Sequence, residues 1–133
     1  MAYVGGDILE VRLKHPEGDA VLRPKSNEDN MMDLGGYRNN DEANSITTTG
    51  EIILSKNYVR GFIELTVAND QNTRKEMVTI NKIAASVLEA EVNVTMINKS
   101  IWSGTGQVVG DLQENTNKAT FKIKIAVSKM EKQ

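Results

Sequence analysis

The residues that could carry out nucleophilic catalysis are few in this sequence. Cysteine is absent, and the only histidine, His15, stands before Pro16 in a stretch with turn chemistry. A serine nucleophile would need that histidine as its base, and no G-x-S-x-G motif is present to hold a serine on a sharp turn. We therefore interpret His15 as an exposed turn residue, and we do not expect an enzyme.

Carboxylates between positions 28 and 42 raise the question of a calcium site. They are Glu28, Asp29, Asp33, Asp41 and Glu42. An EF-hand loop needs oxygen ligands at alternating positions, then a glycine and a distant glutamate. The stretch from Asp29 to Asp33 has Met31 at its centre and lacks the glycine in register. Solvated acidic residues are the better interpretation, and we expect no metal or other cofactor.

A third candidate is the glycine-rich run from Gly104 to Gly110. Its spacing is G-x-G-x-x-x-G, whereas the dinucleotide-binding fingerprint is G-x-G-x-x-G, and no P-loop lysine follows. Polar turn residues come next instead of a helix, so no helix N-terminus is expected there to hold a phosphate. Strand glycines that permit a bulge or a close backbone neighbour explain the run better.

Composition narrows the function classes further. The chain has 133 residues, 39% hydrophobic and 26% charged, which suits one globular domain. Its formal net charge of -2 gives no electrostatic footprint for gripping nucleic acid by its phosphates. No signal-peptide pattern and no apolar run of about 20 residues occur, so we expect no membrane anchoring.

Apolar and polar side chains alternate over much of the chain, which predicts strands. The predicted strands cover residues 8–13, 20–22, 46–55, 58–68, 90–97, 101–112 and 120–127. Gly50 is expected to mark a bulge. Thr73 and Glu76 match a capping box, and the apolar spacing after them predicts a helix over 74–87. The expected fold is mainly β, an antiparallel β-sandwich or rolled barrel with this one flanking α-helix.

A single domain over 1–133 is expected, with two irregular segments. Residues 23–45 lack any periodicity and predict a long extended loop, a kind of segment that is usually functional or flexible. The polar tail 128–133 is expected to be short and flexible.

Apolar side chains in that loop are the candidate interface. Met31, Met32, Leu34 and Tyr37 need cover, and a partner is the predicted cover. Trp102 has two interpretations, a core tryptophan on a strand or an interface anchor.

From Gly50 onward the chain resembles the tail-tube proteins of long-tailed bacteriophages, whose fold is shared with the tubes of contractile injection and type VI secretion systems. The resemblance is one of layout: two long strands, a break, a capped helix, a strand, a glycine-punctuated segment and a closing strand. These pieces are Gly50–Leu54, Gly61–Val67, Asn69–Asp70, the helix, Val92–Met96, Gly104–Asp111 and Ala119–Ile125.

The resemblance implies a structural role in the virion tail, in a protein assembled in the host bacterial cytoplasm. Such subunits close into hexameric rings that stack into a hollow tube, and DNA passes down the bore as transient cargo without sequence recognition. The loop 23–45 would then reach neighbouring subunits, and a sheath, baseplate or terminator protein could be a further partner. The polar side of the two longest strands, with Glu51 and Glu64, is our candidate for the bore lining.

Other functions remain open at this point. A hub, terminator or adaptor of the tail could share the same fold. A monomeric β-sandwich module that binds a carbohydrate or peptide belongs to a different class. Such modules usually display an aromatic platform, and this chain has one Trp, three Tyr and two Phe.

Overall fold

The computed structural model describes residues 5–26, 28, 30–39, 45–69 and 72–133. It contains twelve strands and one helix within these ranges. In chain order they are β1 (Ile8–Lys14), β2 (Ala20–Leu22), β3 (Met31–Asp33), β4 (Gly36–Asn39), β5 (Ser45–Ile46), β6 (Ile52–Ile53), β7 (Lys56–Val59), β8 (Gly61–Ala68), α1 (Lys75–Ala85), β9 (Ala90–Met96), β10 (Ile101–Asn115), β11 (Thr120–Val127) and β12 (Glu131–Lys132).

The main sheet has eight strands, and every pairing in it is antiparallel. Its order is β2-β1-β9-β10-β11-β8-β3, with β12 paired to β10 beside this path. The expected fold class, mainly β and antiparallel with one helix, is therefore confirmed.

The sheet is rolled so that its two ends meet at β8. The chain leaving β2 continues to Pro24, which bridges to Val67. The Lys25 N–H donates to the Thr66 carbonyl at 2.8 Å, and the Ala68 N–H donates to the Arg23 carbonyl at 3.1 Å. One continuous segment thus bonds to β1 and to β8, and this closure removes an open sheet edge.

The core lies on the inner face of this rolled sheet. Residues of alternate parity point inward along each long strand, as the sequence alternation predicts. Its largest fully buried side chains include Phe121, Leu13, Leu22, Ile63 and Ile125. Full burial of each such side chain stabilises the fold by about 1.5–3 kcal/mol.

The helix α1 covers the remaining gap of the roll. It packs against β10 and β2, and its Ile80 and Ile83 enter the core. Since β9 pairs with β10 only as far as Gly106, the helix lies over the part of the β10 edge beyond it. The Gln107 Nε2 donates to the Ser86 and Leu88 carbonyls at 3.1 and 2.8 Å, which fixes the end of the helix.

The helix begins differently from the sequence prediction. It spans 75–85 instead of 74–87, and the Thr73–Glu76 capping box is wrong. Arg74 occupies the N-cap in the left-handed region with φ 45°, and no side chain caps the helix. Its Nε donates to Glu114 Oε2 at 3.0 Å, an ion pair that joins the helix start to the end of β10 and caps none of the helix N–H groups.

The segment expected to be a long loop contains regular structure. The strands β3 and β4 lie within 23–45, and β5 begins at its last residue, Ser45. Their sequences do not alternate, because most of their side chains lie on surfaces outside the core, where burial imposes no period of two. Gly50 likewise lies in the turn between β5 and β6 with φ +91°, and does not form a strand bulge.

The C-terminal tail is also more ordered than its polarity suggests. Glu131 and Lys132 pair with Ser103 and Trp102 of β10. Met130 is only 2% exposed and belongs to the core. A single apolar residue among five polar ones gives no periodic pattern from which a strand could be predicted. Its burial nevertheless anchors the short strand β12.

Candidate interaction surface: a two-stranded arm

Residues 36–39 and 45–59 form a β-ribbon, here called the arm. β4 pairs with β7 and β5 pairs with β6, and none of these strands belongs to the main sheet. The ribbon turns at its tip, where the Thr47 N–H donates to the Glu51 carbonyl at 2.7 Å. The Glu51 N–H donates in return to Thr47 Oγ1 at 2.9 Å. The arm therefore extends from β3 and β8 as a continuation outside the rolled body.

The arm carries a dense set of large apolar side chains exposed to solvent. Tyr37 is 75% exposed and Ile52 is 71% exposed. Other arm residues in this state are Ile46, Ile53, Leu54, Tyr58 and Val59. Large exposed apolar patches on a natural protein mark interaction sites, which makes the arm a candidate for one.

Two cross-strand pairs organise this apolar surface. Tyr37 and Tyr58 are direct partners in the β4–β7 register, with ring centroids 5.0 Å apart and planes at 90°. Ile46 and Ile52 are direct partners near the tip. Such pairs stabilise a ribbon, but an isolated two-stranded hairpin is at best marginally stable in water.

The backbone edges of the arm are open as well. Among the described residues, each arm strand has one partner strand, so the outward N–H and C=O groups on both sides have no strand neighbour. The strand edges of the main sheet are covered instead. Residues 23–25 and β3 bond to β8, and α1 packs against β10. Open strand edges invite pairing with another chain.

An ion pair between Asp33 and Arg38 holds the root of the arm, the point at Gly35 and Gly61 where the main sheet passes into the arm. The Arg38 Nη1 donates to Asp33 Oδ2 at 3.1 Å, and Arg38 Nη2 also contacts Asp33 Oδ1. The Gly35 N–H donates to the same carboxylate at 2.9 Å. The Arg38 hydrogen bond, followed by that of Gly35, lowers the pKa of Asp33 below its usual range. The carboxylate in turn raises the pKa of Arg38.

Glycines permit the two ribbon strands to approach each other at the root. Gly35 has φ +77°, and a Cβ on it would lie 2.6 Å from the Gly61 nitrogen. A Cβ on Gly61 would collide with the Asp33 carbonyl oxygen. Side chains are thus excluded at the point where the main sheet passes into the arm.

The predicted interface residues divide between arm and body. Tyr37 lies in the arm, and Leu34 lies just before the root, 37% exposed. Met31 is exposed on β3, whereas Met32 pairs with Ile63 and packs against the core. Trp102 is half-buried on β10 and also packs against the core.

The two acidic residues proposed for a bore lining lie in different parts of the molecule. Glu51 is exposed at the tip of the arm. Glu64 lies on the outer face of β8 opposite Lys124, with 3.6 Å between Lys124 Nζ and Glu64 Oε1. Glu64 therefore forms an ion pair with a lysine of the neighbouring strand in the same sheet.

Sequence reasoning missed most of the arm. It assigned 46–55 to a regular strand, so Ile46, Ile52, Ile53 and Leu54 were not recognised as surface residues. The run from Ile52 to Leu54 breaks the alternation of a half-buried strand, and this was the available signal.

His15, the residue considered for catalysis, is held in the fold by hydrogen bonds. His15 is buried, contrary to the expected exposure. Its Nδ1 accepts from the Glu17 N–H at 3.0 Å, which places the proton on Nε2 for donation to the Leu88 carbonyl, also at 3.0 Å. The ring thereby joins the β1–β2 turn to the segment after α1, a packing role that turn chemistry does not reveal.

The acidic and glycine-rich candidates are described only in part. Glu28 pairs with Lys25 at 3.2 Å, and Asp29, Asp41 and Glu42 lie outside the described residues. Within the described ranges, no three His, Cys, Asp or Glu side chains are grouped so as to hold a metal. The run from Gly104 to Gly110 lies inside the single strand β10. In the part of the chain that the structure describes, no helix is long and apolar enough to span a membrane.

Comparison with known proteins gives no assignment. No protein-family model matches the chain, and no curated protein matches it. The arm is therefore the feature on which a functional proposal can rest.

Proposed function

We propose that this protein is a structural subunit that assembles with copies of itself, of the kind that forms phage tail tubes. The observation that carries the proposal is the arm, with its exposed apolar pairs and its two open edges. Each large apolar side chain gains about 1.5–3 kcal/mol on full burial, so covering several of them favours association strongly. A second copy supplies that cover in a self-assembling subunit.

The position of the arm supports a head-to-tail mode of assembly. One end of the roll contains the first residue of β1 and the last residue of β9, where Ile8 pairs with Met96. The paired strands β3 and β8 reach the same end and continue there into the arm. The β10–β11 turn after Asn115 lies at the opposite end. When the arm of one copy binds the body of the next, unlike surfaces meet, and such contacts form rings or continuous filaments, whereas arm-to-arm pairing would give a closed two-fold dimer.

The tail-tube assignment itself rests on the order of elements. The long strand β8, the short helix, β9, the glycine-punctuated β10 and the closing β11 occur in the order that the resemblance describes, whereas Gly50–Leu54, expected as a further long strand, contains only the two-residue β6. In this role hexameric rings stack into a hollow conduit in the virion tail, assembled in the host bacterial cytoplasm, and DNA passes through it without being gripped. A net charge of -2 suits a passage better than a DNA-binding surface. A sheath, baseplate or terminator would be the neighbouring proteins.

Two alternatives keep the same arm but give it another partner. A hub, terminator or adaptor would use it within a finite assembly. A monomeric carbohydrate- or peptide-binding module would use Tyr37 and Tyr58 as its aromatic residues. Their perpendicular rings do not form a flat platform, which favours the assembly role over sugar stacking.

The assembly state of the purified protein tests the proposal. Light scattering followed by negative-stain electron microscopy should show rings stacked into hollow tubes. Finite single rings would indicate a hub, terminator or adaptor. A monodisperse monomer at the highest attainable concentration would contradict self-assembly.

A matched pair of variants locates the contact. The double substitution Ile46→Ser and Ile52→Ser removes an exposed cross-strand pair outside the core, and it should leave a folded subunit that no longer assembles. Val87→Ser is the control, because Val87 is 98% exposed but lies outside the arm. Normal assembly of the double variant, or equal loss in the control, would remove the arm from the proposal.

A further inference from the structure

The inner face of β10 has a space that the C-terminal segment fills. Gly104 offers no side chain there, and a Cβ on it would lie 2.6 Å from the Lys129 carbonyl oxygen and 3.0 Å from Met130 Sδ. Met130 is only 2% exposed and joins the core at this point. A flexible thioether side chain is well suited to fill such a gap.

Backbone hydrogen bonds hold the same segment along β10. The Ser128 N–H donates to the Thr105 carbonyl at 3.2 Å, and the Gln133 N–H donates to the Ile101 carbonyl at 2.8 Å. Between them, β12 pairs with Trp102 and Ser103. Residues 128–133, here called the strap, therefore run along β10 after β11 has ended.

The strap also reaches the root of the arm. The Met130 N–H donates to the Leu34 carbonyl at 2.9 Å. Leu34 directly precedes Gly35 and Gly36, whose φ angles of +77° and +118° lie where glycine moves with little steric cost. Met130 thus joins the core with its side chain and the arm root with its backbone.

We propose that the strap sets the direction of the arm relative to the rolled body. The strap acts beside two other restraints at the root, the Asp33–Arg38 ion pair and the pairing of β3 with β8. The Met130–Leu34 hydrogen bond links this root to a residue fixed in the core. The strap is consequently a conformational device, and it acts whatever the arm binds.

Distance measurement between two spin labels tests this directly. The chain has no cysteine, so Lys14→Cys and Asn57→Cys introduce unique attachment points, one on the body and one on the arm, both exposed. Double electron–electron resonance would be recorded on labelled protein diluted tenfold into unlabelled protein. The dilution suppresses the signal from pairs of labels on different copies. The intact chain should give a narrow distribution. A chain that ends at Ser128 should give one at least twice as wide.

A second variant displaces the strap without removing it. Gly104→Ala places a methyl group against Lys129 and should widen the distribution in the same way, whereas Gly5→Ala meets nothing within 4 Å and is the control. Amide exchange of Val92 to Val94 reports whether the main sheet stays folded. An unchanged distribution in the truncated chain would overturn the proposal. Loss of sheet protection on truncation would also overturn it, since the strap would then be an inseparable part of the core.

Discussion

Tyr37 and Tyr58 face each other across the arm, edge to face, with their ring centroids 5.0 Å apart. They are 75% and 49% exposed, so the pair is formed outside any core. Aromatic pairs of this geometry contribute about 0.5–1.5 kcal/mol beyond the area they bury. The contact is therefore a main source of stability for a ribbon that has little other packing.

Replacing one ring should loosen the arm and spare the body. We expect Tyr58→Ala to speed amide exchange in Gly36–Asn39 and Lys56–Val59 by up to about tenfold, because about 1 kcal/mol of pair energy is lost. The midpoint of global unfolding should not change, since the core residues are untouched. Slower or unchanged exchange in the arm would show that the rings do not stabilise it.

The Asp33–Arg38 tie should respond to acid. The hydrogen bond from Arg38, then that from Gly35, lowers the pKa of Asp33 from its ordinary 3.8. A lowered folded-state pKa means that the tie stabilises the fold above pH 3.8 and loses this effect as pH falls through the lowered value.

The amide resonance of Gly35 reports this titration. We expect its shift to change with a midpoint below 3.8, and Asp33→Asn should remove the change. In the variant, amide exchange at the arm root should follow only the intrinsic pH dependence of exchange in this range. A midpoint at or above the ordinary value would contradict the observed hydrogen bonding.

How far the sequence predicts this molecule depends on what each segment packs against. Strands of the core alternate because one of their faces is buried, and β11 was predicted with its observed bounds. The helix was placed within two residues at each end, although of the apolar positions used for it Ile80 is buried whereas Val87 lies exposed beyond the helix end. Burial of one face leaves a periodic signal that sequence reasoning detects.

The arm and the strap lack that signal. Neither face of the arm is covered by the body, so its residues follow no period, and its pairing depends on contacts between residues about twenty positions apart, such as Tyr37 and Tyr58. Only Tyr37 of the apolar arm residues was recognised in advance. Met130 packs against Gly104, which belongs to the run interpreted as strand glycines that permit a bulge or a close backbone neighbour, but the sequence does not name Lys129 and Met130 as that neighbour.

His15 should contribute to the stability of the fold. Replacement by Ala removes its hydrogen bonds to the Glu17 N–H and the Leu88 carbonyl, of which the carbonyl keeps Gln107 Nε2 as a donor, and it empties the buried position of the ring. Because a hydrogen bond and the packing of a buried ring are lost together, we expect His15→Ala to lower the free energy of unfolding by at least about 1 kcal/mol. Denaturant unfolding measures this, with Lys14→Ala as an exposed neighbour for control. A neutral result would mean that water replaces the ring at little cost.

Thr73 distinguishes the observed helix start from the one its sequence predicts. A capping Thr replaced by Ala costs about 0.5–2 kcal/mol. Here Arg74 holds the N-cap position and no side chain caps the helix, so Thr73→Ala should change the free energy of unfolding by less than about 0.5 kcal/mol. Arg74→Ala, measured in parallel, should cost more, because it removes the partner of Glu114, whose side chain is only 9% exposed. If Thr73→Ala proved the more damaging of the two, the capping box would be present in solution and the ion pair would not define the helix start.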